Sequence, residues 1–203
     1  MPTIGLTGNF GMGKTAVLQL FNKSGAYTFN IDKFVHEILK RPGTIRKIAK
    51  ALGKDVLTKK TTTISINKAR VAKIIFDDAG KRKALEQIIH PQVLKIIKTT
   101  ESGILKRDPF ALIIFEVPLL FEAGYKKHFD KTIVVYCNKD TAINRLVKKG
   151  FSKDEAQKRL HAQLPITRKK KLADFAINNN YDISGTEKQV ERILYKLKQT
   201  ILR

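Results

Sequence analysis

The sequence predicts an α/β fold of three layers, with a central parallel sheet and helices on both faces. Three runs of apolar and β-branched residues are typical of buried parallel strands, and they lie at Thr3–Thr7, Phe110–Phe115 and Thr132–Tyr136. Two shorter runs, Ala26–Ile31 and Phe175–Ile177, predict a fourth and a fifth strand. Segments with helical spacing of apolar residues fill the intervals, and this alternation favours a parallel sheet.

The first strand leads directly into a glycine-rich loop and then a helix. The loop matches the phosphate-loop (Walker A) pattern G-x-x-x-x-G-K-[ST] and consists of Gly8, Asn9, Phe10, Gly11, Met12, Gly13, Lys14 and Thr15. Glycines let successive backbone N–H groups turn towards phosphate oxygens, the lysine adds a mobile positive charge, and the threonine hydroxyl is a ligand for Mg²⁺. We therefore predict a P-loop NTPase-type core that binds ATP and Mg²⁺. A glycine-rich turn with a coincidental lysine is the alternative.

The chain is strongly basic. Its 203 residues include 40 Lys and Arg against 18 Asp and Glu, which gives a formal net charge of +22. This charge indicates either an anionic partner or solvated surface charge without a partner. The basic residues are scattered, there is no tryptophan and no known nucleic-acid motif, so no specific nucleic acid is expected.

Cysteine usage and hydropathy predict a cytoplasmic protein. Cys137 is the single cysteine, which rules out an intramolecular disulfide, and its place after a strand predicts a buried apolar role. The N-terminus lacks a signal pattern, and no stretch approaches the length that crosses a bilayer. We therefore expect no membrane partner.

Helical patterns outside the core predict two further parts of the fold. The region from about 33 to 105 is mainly helical, with interruptions at Pro42-Gly43 and Lys59–Thr63, and suggests an inserted subdomain. A capping box at Ser152–Glu155 predicts a new helix that carries Arg159. Val190, Ile193, Leu194, Leu197 and Ile201 predict an amphipathic C-terminal helix. The predicted boundaries are a core over about 1–32, 108–140 and 172–203, a helical subdomain over about 33–107, and a lid over about 141–171.

Two acidic residues follow predicted strands and are candidates for the chemistry. Asp32 is suited to orient an attacking hydroxyl, to accept its proton or to hold water on Mg²⁺, or else complements a helix dipole. Glu116 ends an apolar strand, where P-loop proteins commonly place the acid that contacts Mg²⁺. Because ligands bind at the carboxyl ends of parallel strands, both acids are expected beside the phosphate loop.

Other polar residues leave alternatives open. His90, which with Pro91 is expected to end an apolar helix, is either a ligand contact or structural. Arg145, Lys149 and Arg159 form either a cationic lid over transferring phosphates or a solvated helix face. The basic runs at Lys59-Lys60 and 168–171 are expected to be exposed to solvent. No histidine or cysteine spacing predicts a zinc site.

Together these motifs resemble the dephospho-CoA kinase family over nearly the whole chain. The resemblance rests on the phosphate loop, on Asn30-Ile31-Asp32, on His90-Pro91 and above all on Val117–Glu122. Further matches, in chain order, are Arg41-Pro42-Gly43, Phe76, Leu85-Glu86, Arg145-Leu146, Arg159 with Gln163, Ala173-Asp174 and Ile177-Asn178-Asn179.

The resemblance implies ATP-dependent phosphorylation of the ribose 3′-hydroxyl of dephospho-CoA, the final step of coenzyme A biosynthesis, with a helical acceptor-binding subdomain and a small lid. It implies that Asp32 acts on the hydroxyl, that Lys14 and Thr15 serve ATP and Mg²⁺, and that Arg145 belongs to the lid. The residues that it places in the acceptor site are His90, Pro118, Leu119, Leu120 and Glu122, and it places Asn179 near adenine.

The chain departs from the family pattern at four positions. Asn30 stands where the family has a first aspartate, Lys68 and Lys149 stand where arginine is usual, and Tyr181 fills a common glycine position. A lysine replaces a planar two-point phosphate contact by a point charge. Two other functions stay open: a P-loop kinase for another small hydroxyl or nucleotide acceptor, and a nucleic-acid-binding protein regulated by ATP. We expect a monomer or a small homo-oligomer.

Overall fold

A computed structural model of the chain describes residues 3–60 and 63–199. The strands are β1 (Thr3–Thr7), β2 (Tyr27–Asn30), β3 (Leu57–Lys60), β4 (Thr63–Ile66), β5 (Ile113–Glu116), β6 (Lys131–Tyr136) and β7 (Phe175–Asn178). The helices are α1 (Lys14–Lys23), α2 (Ile31–Ile38), α3 (Pro42–Leu52), α4 (Lys68–Asp77), α5 (Ala79–Leu105), α6 (Lys139–Val147), α7 (Lys153–His161), α8 (Ile166–Leu172) and α9 (Ile183–Gln199). The chain divides into two compact units, one of residues 1–30 with 104–203 and one of residues 31–103.

The first unit contains the predicted parallel sheet, which confirms the α/β fold class. Its strand order is β2-β5-β1-β6-β7, and every neighbouring pair is parallel. Because β1 lies in the middle of this order, the loop that follows it emerges at the centre of the carboxyl edge of the sheet. Open parallel sheets bind ligands along this edge.

A hydrophobic core joins α1 and α9 to one face of the sheet. Ile4, Leu6 and Ile133 from the strands are fully buried, as are Phe21 from α1 and, almost completely, Leu197 from α9. The predicted amphipathic helix at the C-terminus is therefore present up to Gln199, and Ile201 lies outside the described residues. Helix α1 packs against both the strands and α9, and this contact fixes the first turn of α1, which immediately follows the phosphate loop.

Two predicted strands begin or end differently from the expectation. The run from Phe110 joins the sheet only at Ile113, because Ala111 N donates to Asp108 O in a turn and Phe110 is 73% exposed. The strand predicted over Ala26–Ile31 is β2, which ends at Asn30 because Ile31 already begins α2. Cys137, directly after β6, is buried as predicted.

The second unit is helical with one hairpin, and the sequence patterns missed two of its features. The predicted interruption at Lys59–Thr63 overlaps β3 and β4, which pair as antiparallel strands. The expected helix end at His90-Pro91 is wrong, because α5 continues through Pro91 to Leu105. Pro42, by contrast, occupies the first turn of α3, where its missing N–H costs no hydrogen bond.

The residues between β6 and β7 form three short helices. Ser152 Oγ accepts a hydrogen bond from Glu155 N at 3.1 Å, which confirms the predicted helix start of α7. The expectation that the whole basic run at 168–171 is exposed is wrong for Lys169, which is completely buried. The side chains of Lys59 and Lys60 lie outside the described part of the chain. None of the helices within the described ranges has both the length and the apolar content needed to cross a bilayer.

Candidate active site

The phosphate loop connects β1 to the first turn of α1 through backbone conformations that favour glycine. Gly13 precedes the helix with φ 85°, and a Cβ atom added there would overlap the side-chain amide nitrogen of Asn179. The N–H groups at the start of α1 have no partners within the helix and lie at its positive end. The side chain of Lys14 folds back over the loop, and its Nζ donates to Asn9 O at 3.3 Å. The loop therefore forms an anion-binding cradle.

Hydrogen bonds from distant residues hold this loop in place. Asn9 Nδ2 donates to Leu164 O at 3.1 Å, and Phe10 N donates to the side-chain oxygen of Gln163 at 2.8 Å. On the opposite side, Asn179 Nδ2 donates to Met12 O at 2.9 Å. A loop fixed before its ligand arrives loses less entropy on binding.

An acidic residue lies beside the end of the loop. Glu116, the last residue of β5, is 4% exposed, and its carboxylate oxygens lie 3.4 and 3.5 Å from the Thr15 hydroxyl. Asn30, the last residue of β2, donates from Nδ2 to the same carboxylate at 3.1 Å. Thr15 itself is exposed. These hard oxygen donors, one carboxylate and one hydroxyl, are the kind that Mg²⁺ shares with nucleotide phosphates.

A cavity of about 420 Å³ opens beside the loop and α1. Its lining residues are Gly11, Gly13, Ala16, Arg145, Lys148, Lys149, Asn179, Tyr181 and Ile183. Arg145 Nη2 donates to Asn179 O at 2.9 Å, whereas its buried Nη1 finds no hydrogen-bond partner among the described residues. Because Arg145 lines the cavity, its guanidinium places a positive charge beside any anionic ligand bound there. The cavity combines apolar surface with cations next to the phosphate cradle.

Asn179, which the family resemblance places near adenine, is a structural junction as well as part of this cavity. Its side-chain oxygen accepts from Thr186 Oγ1 at 3.0 Å, and its backbone N donates to Tyr136 O at 2.7 Å. With the bond to Met12 O, the side chain links the phosphate loop to the start of α9.

Arg159 packs against aromatic rings beside the loop. Its guanidinium carbon lies 5.2 Å from the ring centroid of Phe10 and 5.0 Å from that of Phe151, and the two rings meet edge to face. Nη2 of Arg159 also pairs with Glu155 at 2.9 Å. The predicted cations thus have different surroundings: Arg145 and Lys149 line the cavity, and Arg159 covers Phe10.

The residues of the Val117–Glu122 motif differ in their exposure. Leu119 is 48% exposed, whereas Leu120 is completely buried and packs beside Gly5. Pro118 O accepts from Thr7 Oγ1 at 3.2 Å, which holds the exit of β5 to the end of β1. The carboxylate of Glu122 pairs with Lys169 Nζ at 2.8 Å. Of these side chains, Leu119 therefore presents the largest free apolar surface.

Two predicted site residues belong to the second unit. Asp32 lies in the first turn of α2, two residues after Asn30, and His90 is a half-buried residue in the middle of α5. In the same unit, Lys68, which stands where the family has arginine, lies with its Nζ 2.7 Å from His36 Nδ1.

The sequence patterns missed Lys169. They predicted an exposed lysine because it lies within a basic run, yet Nζ contacts Glu122 and Pro118 O, the latter at 3.3 Å. A signal was available: Ile166 and Lys169 are spaced i and i+3 in α8, which places them on one helix face. Among the described residues, no cluster of His, Cys, Asp and Glu side chains suits a metal held by protein ligands alone.

Comparisons with known proteins agree with this geometry. A family model described as dephospho-CoA kinase matches residues 2–185. A dephospho-CoA kinase of Aquifex aeolicus is 36% identical over 198 residues, covering 97% of this chain and 98% of its own. That of Listeria monocytogenes is 34% identical over 191 residues, or 93% of each chain.

Solved structures are similar over almost the full length. TT1252 from Thermus thermophilus matches with a TM-score of 0.81 and 26% identity, covering 96% of this chain and 97% of its own. The dephospho-CoA kinase from Campylobacter jejuni matches with a TM-score of 0.67 and 25% identity over 98% of each chain. A shikimate kinase from Bacteroides thetaiotaomicron, at 16% identity and a TM-score of 0.53, shares the P-loop kinase fold alone. On the family model and the full-length relatives together, the chain belongs to the dephospho-CoA kinase family.

Proposed function

We propose that this protein transfers the γ-phosphoryl group of ATP to the ribose 3′-hydroxyl of dephospho-CoA, giving coenzyme A and ADP. The observation that carries the proposal is the preformed phosphate cradle, with Lys14 folded over it and the Thr15 and Glu116 oxygens 3.4 Å apart at its end. Family membership supplies the acceptor, since the relatives that match over the whole chain are dephospho-CoA kinases.

Phosphoryl transfer of this kind proceeds through a loose transition state, in which the protein forms few bonds and mainly aligns and stabilises charge. In the proposed reaction, the backbone N–H groups at the start of α1 hold the β- and γ-phosphates, and Lys14 neutralises charge that builds on the transferring oxygens. Arg145, which lines the cavity beside the loop, supplies a positive charge to the bound nucleotide.

Thr15 and Glu116 would hold Mg²⁺, the threonine through its hydroxyl and the glutamate directly or through water. When bound, the ion neutralises phosphate charge and helps to orient the γ-phosphoryl group. Asn30 keeps the Glu116 carboxylate in place by donating to it at 3.1 Å.

Asp32 is proposed to orient the ribose hydroxyl and to accept its proton late in the transfer. Its position in the first turn of α2, two residues after the end of β2, supports this role, because ligands of parallel sheets bind at the carboxyl ends of the strands. His90 and the Pro118–Glu122 segment are proposed to line the acceptor site, with Leu119 as its apolar contact. A cytoplasmic location and a monomeric or small homo-oligomeric state remain predictions of the sequence.

The function is tested by ADP release in a coupled assay with dephospho-CoA as the sole acceptor, followed by mass analysis of the product. We expect Mg²⁺-dependent turnover and a product that carries one additional phosphoryl group. Parallel reactions with shikimate and nucleoside monophosphates test other acceptors, and faster turnover with any of these would overturn the proposed substrate.

A matched pair of variants separates the proposed site from contaminating activity. Lys14→Ala removes the cation of the cradle and is expected to lower turnover by at least about a hundredfold, the cost of losing a key donor to a developing charge. Lys23→Ala, at the exposed end of the same helix, should be as active as the wild type. Substantial activity in Lys14→Ala would reject the ATP site.

A further inference from the structure

A fully buried lysine lies behind the Pro118–Glu122 segment. Lys169, in the middle of α8, is 0% exposed, while its neighbours Arg168 and Lys170 are exposed. Its Nζ lies 2.8 Å from Glu122 Oε1 and 3.3 Å from Pro118 O. Burial lowers the pKa of Lys169, and the neighbouring Glu122 carboxylate acts in the opposite direction. One ammonium group thus contacts both ends of the segment.

The same glutamate also binds the residues that hold the phosphate loop. Glu122 Oε1 accepts from Leu164 N at 3.1 Å, and Leu164 O accepts from Asn9 Nδ2 at 3.1 Å. The preceding residue, Gln163, accepts from Phe10 N. A continuous set of hydrogen bonds therefore runs from Lys169 through Glu122 and Leu164 to the loop.

The contact with Pro118 fixes the other end of the segment. Pro118 O accepts from both Lys169 Nζ and Thr7 Oγ1, so both of its lone pairs are used. Val117 N in turn donates to Leu6 O at 2.8 Å. The chain leaving β5 is thus held to β1 on one side and to Lys169 on the other.

Stability alone is a poor reason to bury this charge. Removing an ammonium group from water costs several kcal/mol, roughly as much as a good ion pair returns, and apolar replacements of buried pairs are often neutral or stabilising. A buried pair does, however, fix geometry, because its hydrogen bonds have defined directions.

We propose that Lys169 is a positioning residue that sets the Pro118–Glu122 segment relative to the phosphate loop and thereby sets affinity for the acceptor. This inference rests on the proposed function, in which that segment contacts dephospho-CoA. Lys169 contacts the segment directly but reaches the loop only through Glu122 and Leu164, so binding of ATP depends on it less.

The test replaces Lys169 by methionine, which keeps an unbranched chain but removes the charge and the donors. The control is Lys171→Met, the same substitution at an exposed position of the same helix. In Lys169→Met we expect the KM for dephospho-CoA to rise at least tenfold and the KM for ATP to change less than threefold. A KM for dephospho-CoA within twofold of the wild type would overturn the proposal. The proposal would also be overturned if only kcat fell, in proportion to the fraction of protein that remains folded.

Glu122→Gln provides a second variant, which keeps an acceptor oxygen and removes the charge. We expect its KM for dephospho-CoA to rise at least threefold, and an unchanged value contradicts the proposal even if Lys169→Met does not fold. The KM for dephospho-CoA of the double variant is expected to be no higher than that of Lys169→Met, because each single change already breaks the same ion pair. If the increases in KM of the two single variants multiplied in the double variant, the two residues would act independently.

Hydrogen–deuterium exchange gives a readout that does not depend on the acceptor. Backbone amides of residues 117–125 should exchange at least threefold faster in Lys169→Met than in Lys171→Met, while those of β7 should not change. Absence of this difference would reject positioning whatever the activity. If Lys169→Met shows the faster exchange but the wild type does not turn over dephospho-CoA, the proposed function is rejected and the positioning role of Lys169 is not.

Discussion

Asn30 Nδ2 donates a hydrogen bond of 3.1 Å to the carboxylate of Glu116, across the adjacent carboxyl ends of β2 and β5. The resemblance described above implies an aspartate at this position, whereas the neutral amide of Asn30 adds no negative charge beside Glu116. The pair therefore determines how much negative charge faces the Thr15 hydroxyl.

Asn30→Asp would place a second carboxylate against Glu116 and replace a donor by an acceptor. Without Mg²⁺ the two charges repel and one buried acceptor loses its partner, so we expect a loss of about 1–2 kcal/mol in unfolding free energy. Added Mg²⁺ should restore most of that loss. Thermal unfolding with and without the ion measures both effects.

Asn144→Asp, an exposed change on α6, is the control and should respond little to Mg²⁺. If Asn30→Asp were equally stable in chelator and in Mg²⁺, Glu116 would not be part of an ion-binding edge.

Asp32→Asn tests the proposed acceptor chemistry. The change keeps the size of the side chain and removes its ability to take a proton, so kcat should fall by about a hundredfold or more. The KM for dephospho-CoA should change much less, because the amide still orients the hydroxyl. Steady-state kinetics measures both, with Asp77→Asn at the exposed end of α4 as the control. An unaltered kcat would remove Asp32 from the mechanism.

Local sequence was sufficient to predict the position and conformation of the phosphate loop. The phosphate loop depends on residues that are contiguous in the chain, from the glycines to Lys14 and Thr15, and its conformation follows from their backbone requirements. Glu116 was also predictable, because an acid that follows an apolar strand in a parallel sheet must lie at the carboxyl edge.

Long-range pairing explains what the sequence patterns missed. Lys169 is buried beside Glu122, 47 residues earlier in the chain, which supplies the opposite charge, and local helix spacing does not identify that partner. Pro91 is a different case. A proline predicts a helix end because it removes an N–H, but α5 continues through Pro91 to Leu105.

Tyr181 tests the cavity beside the loop. It stands where the family commonly has glycine, lines the cavity with Arg145 and Asn179, and is 60% exposed. Stacking of a base on an aromatic ring contributes about 1–3 kcal/mol, and this exposed ring should lie near the lower limit. Tyr181→Ala is therefore expected to raise the KM for ATP about fivefold.

The control for that change is Tyr195→Ala, on α9 and 66% exposed but outside the cavity lining. A KM for ATP that stays within twofold of the wild type in Tyr181→Ala would mean that the base does not contact this ring.

Asp174, directly before β7, predicts how stability changes with pH. Burial is the largest single influence and raises the pKa of its carboxyl, but it is opposed by hydrogen bonds from Thr132 Oγ1 and Thr132 N, at 2.7 and 2.8 Å, which lower the pKa. The charges of Lys131 and Lys126 also lower it, so the net pKa lies below the ordinary value of 3.8. The folded chain therefore holds this carboxylate ionised to a lower pH than the unfolded chain does. Its contribution is complete above the ordinary pKa and is lost as the pH falls through the folded value.

Asp174→Asn is thus expected to lower the unfolding free energy by about 1 kcal/mol at neutral pH, the difference between a charged and a neutral hydrogen-bond acceptor. That deficit should shrink as the pH falls from about 5 to about 2, because the wild-type carboxylate becomes protonated over this range. Urea unfolding across the pH series measures it, with Glu187→Gln on the exposed side of α9 as the control for simple loss of a negative charge. A deficit that stays constant down to the lowest pH would show that the amide disturbs packing and that the charge of Asp174 contributes nothing.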